Sequence, residues 1–218
     1  MIRPLSIGPL TIPFPVLLAP MAGYTDCAFR SLCRRYGSGA VFTEVVNAEG
    51  VIRDSRPTFH LLETLPGERP IAAHIYGANP DSLAQAAAII EKLGRFDFID
   101  VNCGCPVRKI VAKGAGAALM KSPEKIEAIV RSIRGAVSLP VTVKTRIGYA
   151  PDRMNISEVA HAGEAGGGHA IFIHARFATN VHRGPADWDT LARIKAERSI
   201  PVIGNGGVSR AQDALDMF

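Results

Sequence analysis

The chain lacks long apolar runs, paired metal-ligating cysteines and a secretory leader, and each absence argues against a class of protein. No apolar stretch approaches the about 20 residues that a transmembrane helix needs, and residues 1–5 lack the apolar core of a signal peptide. Four cysteines among 218 residues are too few for a disulfide framework, and no Cys-x-x-Cys pair indicates structural zinc. We therefore expect a cytoplasmic protein with no membrane partner and no metal.

The net charge of +5 is modest, but cationic residues recur at the ends of the predicted strands and in the segments that follow them. A solvated surface would explain any single one of them. Their recurrence at one end of the predicted architecture favours contacts with phosphate groups. The residues concerned are Arg108, Lys109, Lys113, Arg146, Arg153, Arg176 and Arg183.

Apolar runs typical of buried strands alternate with helical patterns along the chain. A Gly-Pro turn at positions 8 and 9 predicts a short N-terminal β-hairpin over residues 5–12. The later runs recur at roughly 25 to 45 residues, which is the size of a βα unit. The predicted strands cover residues 16–19, 41–46, 71–76, 98–102, 141–146, 170–176 and 202–205.

Helix starts between these strands carry specific signals. Asn79-Pro80-Asp81 and Ser122-Pro123-Glu124 each combine a capping side chain, a proline at the first helical position and an acid in the first turn. Ser209 with Gln212 has the spacing of a capping box, which predicts a helix after the last strand.

About seven βα units favour an α/β fold of the (β/α)8 TIM-barrel type. A doubly wound open sheet is the alternative, but no Gly-x-Gly-x-x-Gly follows the first strand. The chain ends within the seventh predicted helix. We therefore expect residues 1–218 to form an incomplete, C-terminally truncated TIM-barrel catalytic domain that lacks its eighth strand.

Polar side chains occupy the inward-facing positions at the ends of successive predicted strands. Side chains alternate between the two faces of a strand, which turns these residues towards the barrel interior. Buried polar groups without partners cost several kcal/mol, so a ring of them predicts a site for a polar, planar ligand. The ring consists of Glu44, His74, Asn102, Lys144, His174 and Asn205.

Two loops complete the predicted site. Asn102-Cys103-Gly104-Cys105-Pro106 follows a buried strand, where an α/β barrel places its chemistry, and Gly104 with Pro106 would hold the thiol of Cys105 in place. The alternative is that Cys103 and Cys105 are small buried hydrophobes. A glycine turn at residues 204–207, followed by a helix, indicates half of a phosphate site.

The motif set resembles the bacterial tRNA-dihydrouridine synthases, flavoenzymes that reduce selected uridines in tRNA. The resemblance covers essentially the whole chain and implies an FMN-binding barrel that uses NADPH or NADH as reductant. It also implies that a helical tRNA-binding domain follows the barrel, and this domain is absent from these 218 residues. The motifs occupy residues 18–26, 102–106, 143–146, 173–176 and 205–207.

The resemblance also implies roles for individual residues. Cys105 would donate a proton to the uracil, while hydride would come from reduced FMN. Asn102 and Arg176 would contact the target uracil and RNA, and Arg108 and Lys109 are further candidates for RNA contacts. The residues implied to bind the flavin are Pro20, Met21, Ala22, His74, Lys144, His174, Asn205, Gly206 and Gly207.

One departure and two alternatives accompany this interpretation. His74 stands where many family members have a glutamine that contacts the flavin ring, although a neutral imidazole can still donate one hydrogen bond. A different FMN barrel, resembling dihydroorotate dehydrogenase and acting on a free pyrimidine, is a second hypothesis. A third is an inactive fragment with residual RNA binding.

Overall fold

Parallel strands dominate residues 3–218, the part of the chain that the computed structural model describes. Two short antiparallel strands precede them and form the predicted hairpin. The strands are β1 (Leu5–Ile7), β2 (Leu10–Ile12), β3 (Val41–Phe42), β4 (Val46–Asn47), β5 (Ile71–Tyr76), β6 (Phe98–Asn102), β7 (Val141–Arg146), β8 (Ala170–His174) and β9 (Val202–Asn205).

The parallel strands form a sheet in the order β3-β5-β6-β7-β8-β9, with β4 also paired to β5. Because consecutive strands are neighbours and every pairing is parallel, all carboxyl ends meet at one edge. A parallel bridge between Leu17 and Ala40 places the first predicted strand beside β3. The predicted incomplete α/β barrel with an N-terminal hairpin is therefore confirmed.

Helices cover the outer face of the sheet, and none in residues 3–218 combines the length and apolar character needed to cross a bilayer. Short 3-10 turns lie at Gly116–Lys121 and Pro151–Arg153. The α-helices are α1 (Cys27–Arg35), α2 (Ala48–Ile52), α3 (Arg56–His60), α4 (Pro80–Lys92), α5 (Arg108–Val111), α6 (Pro123–Ala136), α7 (Ile156–Ala165), α8 (Trp188–Glu197) and α9 (Ala211–Met217).

The capping predictions were right for α4, partly right for α6 and wrong for α9. Helix α6 begins at Pro123 after Ser122, as predicted, but the Ser122 side chain makes no capping hydrogen bond. The Asn79 side chain accepts hydrogen bonds from two backbone N–H groups in the first turn of α4. At α9 the predicted Ser209–Gln212 box shifts by one residue, so Arg210 is the N-cap and Asp213 the N3 residue. The Asp213 carboxylate accepts from the backbone of both Ser209 and Arg210, and a charged acceptor outcompetes an amide there.

Three strand predictions differ from the structure. Residues 16–19 contribute one bridge rather than a strand, and 170–176 ends at His174. The predicted strand 41–46 divides into β3 and β4. At this break the hydroxyl of Thr43 accepts the hydrogen bond of the His74 N–H, and the backbone ladder is interrupted.

Apolar packing closes the amino-terminal end of the barrel and leaves its carboxyl end polar. Ile7 and Ile12 of the hairpin are fully buried and join an interior cluster centred on Phe42. The Phe42 ring meets the rings of Phe98 and Phe172 edge-on, at centroid distances of 5.4 and 5.2 Å. Burial of each aliphatic side chain contributes about 1.5–3 kcal/mol, so the hairpin stabilises the end opposite the candidate site.

Candidate active site at the carboxyl ends of the strands

Strand register brings the predicted inward-facing residues into neighbouring positions. Lys144 of β7 is paired with Asn102 of β6, and His174 of β8 is paired with Asn205 of β9. Arg146, two residues beyond Lys144 on β7, is paired with His174 of β8. The carboxyl ends of four consecutive strands thus supply cationic, amide and imidazole groups to one surface.

Lys144 donates from Nζ to Oδ1 of Asn205 across 3.0 Å. Burial lowers the pKa of Lys144 to about 8, while the charges of Asp100 and Cys105 oppose that shift. The side chain is therefore mostly a cation at pH 7, but it sheds its proton more easily than an exposed lysine. A partly buried cation next to an amide is suited to an anionic or electron-rich ligand.

His174 is neutral at physiological pH. Burial lowers the pKa of its imidazole to about 3, and the positive charges of Arg146, Lys144 and Arg176 act in the same direction. Arg176 Nη1 lies 3.2 Å from His174 Nε2, so the guanidinium donates and Nε2 accepts. In the neutral ring the hydrogen is then on Nδ1.

The depressed pKa of His174 makes a prediction about acid stability. Its folded-state pKa of about 3 lies below the unfolded reference of about 6.5, so the unfolded chain binds the extra proton first. Stability from this group is present above pH 6.5 and is lost as the pH falls towards 3. We expect His174→Gln to reduce the slope of unfolding free energy against pH in that window by up to about one proton.

Urea titrations between pH 4 and 7 measure this slope. His161→Gln is the matched control, because the imidazole of His161 is exposed on α7. Equal slopes in wild type and His174→Gln would show that His174 is protonated equally in the folded and unfolded states.

The Asn102 side chain holds the backbone of the Cys105 loop. Oδ1 of Asn102 accepts hydrogen bonds from the N–H of Gly104, at 3.1 Å, and of Cys105, at 2.9 Å. A Cβ on Gly104 would lie 3.0–3.1 Å from backbone atoms of Thr145, so only glycine packs there without displacement. The loop therefore presses against β7 and holds a partly buried thiol over the strand ends.

Arg146 fastens the same loop from the other side. Its Nε donates to the carbonyl of Gly104 across 3.1 Å, and Nη1 donates to the carbonyls of Phe177 and Val181 at 3.2 and 2.7 Å. Burial lowers the pKa of Arg146 to about 10, which still leaves it charged at pH 7. Arg146 thus joins the loops that follow β6 and β8.

The two cysteines of this loop have different surroundings. Cys103 is fully buried in the layer between sheet and helices, and burial raises the pKa of its thiol. Cys105 lies near Lys144 and Arg146, and it opposes the larger lowering of their pKa values by burial. Cys103 is thus the small core hydrophobe of the alternative interpretation, and Cys105 faces the polar surface.

His74 has protein partners on both ring nitrogens. Nδ1 lies 2.6 Å from Oδ2 of Asp100, and Nε2 lies 3.0 Å from Nδ2 of Asn102. The flavin contact predicted for His74 would have to displace one of these bonds. The amide of Asn102, predicted to contact uracil, is likewise engaged with the loop and with His74.

The loop after the first predicted strand lies at the edge of this group. Glu44 accepts a hydrogen bond from the N–H of Gly23, so it belongs with this loop rather than with the ring of the other polar residues. The N–H of Met21 donates to Oγ1 of Thr25 across 3.1 Å. Pro20 is partly buried, whereas the side chains of Met21 and Ala22 are exposed.

The glycine turn after β9 approaches His174 closely. Gly206 has φ +94°, and a Cβ there would lie 2.5 Å from the imidazole. Trp188 donates to the carbonyl of Gly206 across 3.0 Å and fixes the turn from α8. Gly207 also has a positive φ. The turn therefore packs directly against His174 and lies beside Arg176 Nη1, and a larger residue at position 206 would collide with the imidazole.

The cations implied to contact RNA lie in the segments after β6 and β8. Arg108 and Lys109 are exposed on the first turn of α5, directly after the Cys105 loop, and neither forms an ion pair within residues 3–218. Arg176 donates from Nε to the carbonyl of Gly184 across 2.8 Å, so part of its guanidinium orders the loop after β8.

Three residues that had no individual role in the predicted site prove to be part of its geometry. Asp100 binds His74, Arg146 ties the loops together, and the charge of Cys105 raises the pKa of Tyr76, after the larger effect of burial. Strand alternation places Asp100 and Tyr76 on the inward face, and that signal could have identified them. The loop contacts of Arg146 depend on tertiary structure alone.

The donor set suits a polar ligand that carries an anionic group. The amide of Asn205 and the cation of Lys144 are hydrogen-bonded to each other just before the Gly206–Gly207 turn, and the guanidinium of Arg176 lies beside that turn. These groups match a planar polar ring with an anionic tail. The thiol of Cys105 adds a proton donor or nucleophile. Fold and site together define an α/β-barrel protein whose candidate chemistry lies at the carboxyl ends of its strands.

Comparison with known proteins gives the family. The sequence model for dihydrouridine synthase matches residues 17–218, and the chain belongs to the dihydrouridine synthase family. It is 37% identical over 212 residues to a probable tRNA-dihydrouridine synthase from Rhodobacter capsulatus, covering 96% of this chain and 65% of that protein. It is 38% identical over 208 residues to tRNA-dihydrouridine synthase B from Pseudomonas aeruginosa, covering 95% and 62%.

The chain thus spans less than two thirds of the length of these two relatives. Among solved structures, histamine dehydrogenase from Rhizobium sp. 4-9 superposes with a TM-score of 0.58 at 14% identity. That likeness covers 98% of this chain and 39% of histamine dehydrogenase. At this identity it supports the fold alone.

Proposed function

We propose that this chain is the catalytic barrel of a tRNA-dihydrouridine synthase that reduces the C5=C6 bond of uridines in tRNA. The observation that carries the proposal is the position of the Cys105 thiol, which the Asn102 side chain holds at the carboxyl ends of the strands near the partly buried cation of Lys144. Family membership supports the reaction type, and both relatives described above carry tRNA-dihydrouridine synthase in their names.

FMN is the proposed cofactor, with NADPH or NADH as reductant. Reduced FMN, when bound, supplies the hydride that a uracil ring needs at C6. Asn205 and Lys144 would hold its ring, the Gly206–Gly207 turn would hold its tail, and the backbone of residues 20–22 would border it. Neutral His174 offers its Nδ1–H as a donor.

Cys105 is the proposed proton donor to C5. Its S–H bond breaks as the C5–H bond forms, and the resulting thiolate takes a proton from solvent. The hydride and the proton would then reach opposite faces of the uracil ring. The protein contributes by holding the thiol in one position, since proton transfer needs donor and acceptor within hydrogen-bond reach.

Exposed cations around the site are the proposed contacts to RNA phosphates. Arg108 and Lys109 follow the Cys105 loop, and Arg183 lies in the loop that Arg176 orders. A uridine within folded tRNA has to be extruded to reach the barrel mouth, at a cost of a few kcal/mol. Phosphate contacts offset part of that cost.

Reduction of unmodified tRNA tests the function directly. The full-length protein should purify with FMN and form dihydrouridine on tRNA transcripts when NADPH or NADH is added. Activity on free uracil, orotate or uridine without activity on tRNA would support the free-pyrimidine hypothesis instead. Absence of both activities from flavin-loaded protein would contradict the proposal.

The lowered pKa of Lys144 predicts how FMN binding depends on pH. Lys144 is a cation below about pH 8 and neutral above it, so attraction to an anionic ligand weakens as the pH rises through 8. We expect FMN affinity to fall severalfold between pH 7 and 9.5. Fluorescence titrations measure this fall, and Lys144→Gln should bind FMN more weakly at pH 7 with a flatter pH profile.

A further inference from the structure

His74 is buried in a hydrogen-bonded chain that ends at the backbone of the Cys105 loop. Thr142 Oγ1 donates to Oδ1 of Asp100 across 2.5 Å, and the other carboxylate oxygen meets His74. His74 meets Asn102, and Asn102 accepts from Gly104 and Cys105. The chain of bonds therefore runs from the barrel interior to the loop that carries the thiol.

The direction of every bond in this chain follows from its last member. Oδ1 of Asn102 is the amide oxygen, because two backbone N–H groups point at it. Nδ2 then faces Nε2 of His74 as a donor, and Nε2 has to be unprotonated. The hydrogen of the neutral ring lies on Nδ1 and is donated to the Asp100 carboxylate at 2.6 Å.

Burial makes this chain of bonds effective. His74 is 3% exposed, Asn102 is 6% exposed, and Asp100 and Thr142 are fully buried, so water does not replace a missing partner easily. A buried polar group that loses its partner therefore destabilises its surroundings. Loss of the acceptor at Nε2 would leave the Nδ2 group of Asn102 without its partner, so only the two backbone N–H groups of the loop would still hold the amide.

We propose that His74 is a positioning residue that fixes the Asn102 amide and, through it, the backbone of the Cys105 loop. The imidazole acts on the loop through its acceptor at Nε2, while its donor at Nδ1 locks the ring against Asp100. The proposal rests on the proposed function only in calling Cys105 the proton donor. The hydrogen-bonded arrangement itself needs neither flavin nor tRNA.

Two substitutions separate the two ring nitrogens. Glutamine is long enough to place its amide oxygen near Nε2 and can accept from Asn102, whereas asparagine reaches only as far as Nδ1 and Asp100. We expect backbone amide exchange at Gly104 and Cys105 to speed up about tenfold in His74→Asn and less than threefold in His74→Gln, since about 1.4 kcal/mol corresponds to tenfold. Alkylation of Cys105 by iodoacetamide should change in the same order.

Ile75→Ala is the matched control, because Ile75 is fully buried on the same strand but faces the helices. It should lower the unfolding free energy without selectively exposing the two loop amides. A second readout is the ¹⁵N spectrum of the His74 ring, where we expect the Nδ1–H tautomer.

Equal exchange at Gly104 and Cys105 in the asparagine, glutamine and wild-type proteins would overturn the proposal, and so would an Nε2–H tautomer. Neither readout uses enzymatic activity. Failure to form dihydrouridine would therefore count against the proposed function and leave the role of His74 standing. In an active enzyme, His74→Asn should lower kcat more than it changes KM, and His74→Gln should restore most of kcat.

Discussion

Replacement of Cys105 by alanine should slow dihydrouridine formation by about 10²- to 10⁴-fold, the usual contribution of a positioned general acid. Alanine keeps the backbone N–H that binds Asn102, so the loop keeps its shape and only the acidic proton is lost. FMN content and tRNA affinity should stay within about twofold of wild type. Single-turnover reduction of a tRNA transcript measures the effect on the chemical step.

Cys103→Ala is the control for this experiment. Cys103 is fully buried among core residues, and its removal should lower stability by about 1–2 kcal/mol while leaving the rate of reduction unchanged. A Cys105→Ala enzyme that retained half of the wild-type rate would show that another group donates the proton. A large rate loss in a Cys103→Ala protein of unchanged stability would show that Cys103, and not Cys105, donates the proton.

The sheet was predictable from sequence wherever a strand is buried on both faces. Residues 98–102 and 141–146 were predicted as strands because their apolar residues form a buried run. Those apolar side chains pack against the helices, and the barrel interior accepts the polar side chains that alternate with them. The pattern failed at 41–46, where the hydroxyl of Thr43 takes over a backbone hydrogen bond. Apolar periodicity carries no information about such competition.

Alternation along strands also indicated which polar residues share the barrel mouth. The structure brings Lys144 and Asn205 together and places His174 on the adjacent strand. The hydrogen-bond partners of these side chains were not predictable in the same way. A face assignment puts His74 and Asp100 inside the barrel, but the two bonds of the imidazole depend on distances that only the packed strands define.

Replacement of Arg146 by methionine should destabilise the fold by about 3 kcal/mol. The guanidinium is 5% exposed and donates to three backbone carbonyls, and hydrogen bonds to charged groups contribute about 1.5–3 kcal/mol each. Some of the freed carbonyls reach water, which limits the loss. For a chain of this size the melting temperature should fall by about 6–12 °C.

Arg53→Met provides the comparison, because Arg53 is 78% exposed and forms a surface pair with Glu49 across 3.5 Å. Such a pair contributes about 0.3–0.5 kcal/mol, so this variant should melt close to wild type. Chemical denaturation of both variants measures the difference. An Arg146→Met protein within about 1 kcal/mol of wild type would mean that its loops do not depend on the guanidinium.

The same substitution separates stability from loop order. Arg146 joins the carbonyl of Gly104 to those of Phe177 and Val181, so its loss should release both loops together. Trypsin should then cleave after Arg176 or Arg183 faster than global unfolding allows, and Cys105 should react faster with iodoacetamide. Faster cleavage without a change at Cys105 would show that Asn102 alone holds the thiol loop, because its two accepted hydrogen bonds do not involve Arg146.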